Sequence, residues 1–150
     1  SVPWFCMGQK VNSTTLNEVR NILALVNMTG FYPTIPESSE YDELNALYMV
    51  QAFEPLGFYT ANIYDICWLY ALSVIETGSD DATEIKQVLP SIASSYKGLT
   101  GDCSLDRYGD RNAALYQVYR YENTANGVHA VKRGEMSIVF ADASLASGVH

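Results

Sequence analysis

Histidine is nearly absent from this chain, with two residues in 150, His129 and His150. A histidine-rich zinc site is thereby excluded, and a histidine-dependent triad would have to use His129, for which no partner presents itself. Cysteine is scarce as well. Cys6, Cys67 and Cys103 are odd in number and far apart, which excludes a CxxC redox pair and a zinc knuckle and leaves one disulfide plus a free thiol open. Cys67, set among Ile66, Trp68 and Leu69, reads as a buried small apolar residue. Positive charge is in short supply: nine Lys and Arg stand against seventeen Asp and Glu, a formal net charge of -8. Such a surface repels phosphate backbones, so nucleic acid is not an expected partner. Long hydrophobic runs are missing too. The most apolar segment, 63–75, is too short to span a bilayer and is interrupted by Asp65 and Ser73.

Catalytic motifs are equally lacking. There is no G-x-S-x-G elbow, no P-loop, no G-x-G-x-x-G after a strand and no H-E-x-x-H. The paired carboxylates Asp80 and Asp81 stand at a helix start, where capping accounts for them. No cofactor is implied, and the expectation is a binding protein rather than an enzyme. What the chain does have is 48% apolar residues with 17% charged ones, enough to bury a core within one domain's length. No signal segment precedes the strand-like run at Ser1, so any export signal is expected to have been removed or to lie outside these residues. Asn12 in "NST" and Asn27 in "NMT" lie in acceptor sequons that matter only in a glycosylating compartment.

Strand and helix signals alternate along the chain. "SVPWFCMG" reads as a short buried strand. Thr15 and Glu18 then form a capping box before apolar residues at Val19, Ile22, Leu23 and Val26. Gly30 is expected to stop that helix, and the prolines of "FYPTIP" point to a sheet edge or a crossing loop. Ser39 is expected to cap a second helix carrying Leu44, Leu47 and Tyr48 that ends before Pro55. A third, from about Thr60 to Thr77, is apolar on nearly every side and is expected to be central and buried. Gly78 closes it, and Asp80 or Asp81 opens a fourth, which Pro90 should bend or shorten. "AALYQVYRYE" alternates as a strand, Asn126-Gly127 signals a hairpin to "GVHAVKR", "MSIVF" reads as a further strand, and the segment from Ala141 as a frayed tail.

The stretch "GLTGDCSLDRYGDR" invites a comparison with a calcium loop. Asp102, Ser104 and Asp106 fit its first three ligand positions, but Arg107 replaces the obligatory glycine and Ala113 the bidentate glutamate. A turn is expected, not a metal site.

Three blocks, "WFCMGQK", "YTANIYDICWLYALSVIETGSDDATEIKQVL" and "YKGLTGDCSLDRYGDRNAALYQVYRY", occur in an order that resembles the type I periplasmic solute-binding proteins, the branched-chain amino acid receptors of ABC transporters. The resemblance runs from Val2 to about Glu122. It implies an α/β fold, a three-layer lobe with a mostly parallel sheet flanked by helices. Residues 1–150 would be a single α/β domain matching the later part of the second lobe of a longer, two-lobe receptor. The chain is then a fragment or a short natural relative, and its incomplete sheet leaves an edge at "SVPWFC" through which a second copy is expected to pair.

The resemblance also implies roles for particular residues. "LDxxGDR" would be a surface turn, with Asp106 and Asp110 capping backbone N–H groups, Gly109 supplying positive φ and Arg111 pairing with either aspartate. The loop after the first strand would contact the solute through Met7, Gly8, Gln9 and Lys10. Where the family carries an acidic residue for an ammonium group, this sequence has Gly8 and Gln9, and Lys10 favours a carboxylate or other anion. The implied function is extracytoplasmic binding of a small solute for delivery to the membrane permease of an ABC importer. The alternative is an extracytoplasmic sensor or protein-interaction domain on the same fold.

Overall fold

A computed structural model of the chain describes residues 3–7 and 14–139. Its elements, in order, are β1 (Phe5–Met7), α1 (Thr14–Glu18), α2 (Arg20–Leu25), β2 (Thr29–Pro33), α3 (Ser39–Ala52), α4 (Phe58–Thr77) and α5 (Ala82–Ser95). Two short strands, β3 (Lys97–Gly98) and β4 (Gly101–Asp102), and two long ones, β5 (Ala113–Thr124) and β6 (Gly127–Val139), complete the chain. The chain is α/β, and it divides into two compact units. One holds the described residues up to Thr34 together with Leu115–Ser137. The other holds Ile35–Ala114 with Ile138 and Val139, so the chain passes between them three times.

The first unit is built on a four-stranded mixed sheet in the order β1-β2-β5-β6. β1 and β2 are parallel, with Cys6 opposite Gly30, and β2 and β5 are antiparallel, with Gly30 opposite Tyr119. Period-two alternation on β5 turns Tyr119 and Tyr121 inward, where they are fully buried with Leu16, Met28 and Val128. Leu23, Ala24 and Val26 pack against that cluster. Gly30 belongs to this sheet and does not end the helix. Any Cβ there would fall inside the Tyr119 ring. The helix is closed instead by Asn27, at φ 51°. Met28 N–H donates to the Leu23 carbonyl at 3.0 Å and Asn27 N–H to that of Ala24 at 3.1 Å, a Schellman motif in which asparagine takes the left-handed position.

Other expectations change in this unit. The predicted single helix is two short ones, broken at Val19, and the side chain of Thr15 lies outside the described residues. β1 is an outer strand whose Phe5 and Met7 are 64% exposed, not a buried one. β2 lies inside the sheet despite its proline, because Pro33 is its last residue and its missing N–H falls where the ladder ends. "GVHAVKR" and the residues of "MSIVF" up to Val139 form one strand, β6, which runs straight through Gly134, and Phe140 lies outside the described residues. Arg133 on it pairs with Glu122 of the neighbouring strand, its Nε donating to Oε1 at 2.7 Å. The expected tail, 141–150, lies outside the described residues.

The second unit is helical with a small β3–β4 ladder. Leu56, Ala61 and Leu99 form its buried centre, with Ile35, Tyr41, Leu44 and Tyr48 against it. Ser38, one residue earlier than expected, caps α3 by accepting from Tyr41 N–H at 3.1 Å. Asp81 caps α5 by accepting from Thr83 and Glu84 N–H, and those bonds hold its carboxyl below the usual aspartate range. α5 continues past Pro90 to Ser95, because packing on α4 outweighs the hydrogen bond that proline cannot donate. The largest correction concerns α4. It buries Ala61, Asp65 and Ser73, while Ile63, Ile66, Tyr70 and Ile75 stand at least half exposed, and Cys67 is exposed as well. Its apolar residues encircle the helix, and the described neighbours cover one side.

Candidate functional site

The parallel pairing of β1 and β2 sets Met7, the carboxyl end of β1, beside Phe31, two residues before β2 ends at Pro33. In open α/β sheets, ligands lie just outside such ends. Met7 therefore sits where a solute-contacting residue is expected, with its side chain exposed. Gly8, Gln9 and Lys10, its companions in the sequence reading, lie outside the described residues.

The second unit shows what the longest sequence pattern does. Asp65, in the middle of α4, is 1% exposed. Its carboxylate accepts hydrogen bonds from Leu99 N–H at 2.8 Å, Thr100 N–H at 2.9 Å, the Thr100 hydroxyl at 2.5 Å and the Tyr96 hydroxyl at 3.3 Å. Gly98 must be glycine, since a Cβ would strike that carboxylate. Arg111 closes the far side. Its guanidinium donates to the Thr100 hydroxyl at 2.7 Å, the Thr100 carbonyl at 2.8 Å and the Asp102 carbonyl at 2.6 Å. Arg111 thus anchors the 100–102 segment instead of pairing with Asp106 or Asp110. A buried carboxylate is tolerated because donors surround it. Burial, then the charge and hydrogen bond of Asp65, push the Tyr96 phenol well above its usual range. Burial likewise raises the Cys103 thiol, against the opposing pull of Arg111.

The turn that follows is closed by its own backbone. The Asp106 carboxylate accepts from Tyr108 N–H at 2.8 Å and Asp110 N–H at 2.9 Å, and Asp106 N–H donates to the Asp110 carbonyl at 2.7 Å. Gly109 sits at φ 89°. Asp110 takes part through its main chain, and Asp102 accepts from Ser104 N–H at 2.9 Å. Among the described residues no three His, Cys, Asp or Glu side chains converge as metal ligands.

A cavity of about 730 Å³ opens beside this network. Tyr64, Trp68 and Tyr96 form aromatic walls, and Glu40, Lys97 and Asp102 lie at its rim. Tyr64 and Trp68 meet edge to face at 6.3 Å, as i,i+4 neighbours on a helix do. Glu40 is held below the usual glutamate range by a backbone N–H and the Ser39 hydroxyl. The sequence reading missed this cavity. The Tyr64/Trp68 spacing was the available signal, but the other walls come from residues some 30 positions away on either side. Its lining suits an apolar or aromatic group.

Comparison with known proteins settles the family. Residues 4–124 match the receptor family ligand binding region. The chain belongs to that family. Solved structures with a similar fold include a leucine binding protein, LivK, from Thermotoga maritima, at TM-score 0.60 and 12% identity. The match covers 88% of this chain and 43% of that protein, so the chain spans less than half of its relative's length. No curated protein matches. Family and fold relative alike are ligand-binding proteins, which makes the chain part of a ligand-binding receptor of the type I periplasmic-binding-protein fold.

Proposed function

We propose that the chain is the later part of an extracytoplasmic receptor that binds a small solute and hands it to the membrane permease of an ABC importer. The solute class is an amino acid or a related amide or carboxylate. The observation that carries this reading is the family match over residues 4–124. The fold likeness to a leucine binding protein supports it. No helix among the described residues is long and apolar enough to cross a membrane.

Within this proposal the solute is held by Met7, the last residue of β1, and by Gly8, Gln9 and Lys10, which follow it in the sequence. Gln9 offers an amide where related receptors place an acid, and Lys10 supplies the positive charge, so a carboxylate is recognised before an ammonium. The Asp65, Thr100 and Arg111 network and the turn through Asp106, Gly109 and Asp110 serve as scaffold. β1, an outer strand of its sheet, is the edge through which a second copy would pair.

Titration calorimetry of the longest natural polypeptide carrying this sequence tests the assignment. Lys10→Ala should weaken a carboxylate solute by about tenfold, or about 1.4 kcal/mol, while a neutral amide is unaffected. Equal loss for both solutes removes Lys10 from the site. Binding that persists with no response from a reconstituted permease favours the sensing alternative.

A further inference from the structure

The 730 Å³ cavity lies wholly within the second unit, and neither the Asp65 network nor the solute loop proposed at residues 7–10 accounts for it. Tyr64 and Trp68 stand one turn apart on α4, so both rings rise from the same side of the helix, and Tyr96 enters from the end of α5. Two contacts hold these rings in place without a ligand. Tyr64 meets Trp68 edge to face at 6.3 Å, and the Tyr96 hydroxyl donates to the Asp65 carboxylate at 3.3 Å. A phenol that donates to a carboxylate is polarised by it, which makes the face of its ring more negative. The rim adds charge of the same sign. Lys97 and Asp102 stand opposite each other on the β3–β4 ladder, and Glu40, held ionised by a backbone N–H and the Ser39 hydroxyl, comes from the first turn of α3. Two carboxylates against one ammonium leave one negative charge in excess, and among the described residues none of the three is ion-paired.

We propose that this cavity is a second ligand site, an aromatic cage for an alkylated ammonium group that seats its methyls against Tyr64, Trp68 and Tyr96 and turns its charge toward Glu40 and Asp102. Ring faces carry the negative part of the aromatic quadrupole, and a cation with no N–H to satisfy gives up little on leaving water for them. A neutral molecule of the same shape gains burial alone, and an anion meets the excess negative charge. The net charge of -8 draws cations toward the whole chain. The volume leaves room for an organic body beyond the headgroup, with Lys97 at the rim to receive an acceptor on it. This site stands independently of the receptor reading.

Choline and its neutral isostere 3,3-dimethylbutan-1-ol, in which carbon replaces the charged nitrogen, separate charge from shape. Titration calorimetry of the longest natural polypeptide carrying this sequence should show saturable choline binding at least about tenfold tighter than binding of the isostere. Tyr64→Leu and Trp68→Leu should each weaken choline by about tenfold. Glu40→Gln, at an exposed residue whose loss leaves the core intact, should weaken choline by about threefold and leave the isostere unchanged. Equal affinity for choline and the isostere overturns the inference, since the cavity is then an apolar hollow, and so does the absence of choline binding. Choline binding that survives all three substitutions overturns it as well. Binding that Lys10→Ala abolishes does the same, by placing the cation at the solute loop.

Discussion

A carboxylate in the middle of an apolar helix reads as an oddity until its partners are known. The donors of Asp65 lie 34 and 35 residues further on, at Leu99 and Thr100, and Arg111 completes the group from beyond them. Tyr64-Asp65, "GLTG" and "GDR" were therefore legible as a recurring pattern but not as one network, because periodicity carries no information about contacts at that separation. Asp65→Asn removes the charge and turns an amide NH2 toward N–H donors. It should destabilise the fold by about 2–3 kcal/mol in urea unfolding, with little change in m. The pH response belongs to this scale too. Burial raises the Cys103 thiol above its ordinary 9.0, and also raises the Tyr96 phenol and pushes that of Tyr119 up to about 12. A raised folded-state value means stability that is complete below the unfolded value and lost as pH climbs through the folded one. Stability should accordingly hold to about pH 9 and decline above it, first through the thiol and then through the phenols. Cys103→Ala should abolish the first part of that decline and keep the second, as read from unfolding midpoints between pH 8 and about 12.

Elements were legible where a local rule decided them. Gly78 closes α4 at φ 65°, Asp81 opens α5, and β5 alternates where Tyr119 and Tyr121 are buried on either side of the exposed Arg120. They were misread where tertiary packing or an unanticipated residue took over. Asn27 took the left-handed position assigned to Gly30, and Ser38 capped α3 where Ser39 was expected. β6 carried Gly134 inside a paired strand. Pro90 is the clearest case of override, since α5 holds its helical course on either side of it through contact with α4. Pro90→Ala restores the missing N–H bond and should stabilise the chain by about 1–2 kcal/mol, the helical gain being partly offset by a more flexible unfolded state. A loss of stability on that substitution would mean that the proline ring packs more than its exposure indicates.

At the scale of the molecule, the α/β class and the receptor family were readable because three blocks recur in order over most of the chain, and the match over residues 4–124 bears this out. The aromatic cavity was not, since its walls come from residue 40, residues 64–68 and residues 96–102. Nor was the open face of α4. Hydrophobicity all round a helix reads as burial, whereas the described neighbours bury Ala61, Asp65 and Ser73 and leave Ile63, Ile66 and Tyr70 exposed. The central claim, that this chain belongs to a receptor for a small solute, is tested most directly by thermal unfolding of the longest natural polypeptide against amino acids, short amides and small carboxylates. One chemical class at about 100 times its dissociation constant should stabilise by about 2.7 kcal/mol and raise the midpoint by several degrees. An unchanged midpoint with every solute, in a polypeptide shown to be folded, would contradict the account.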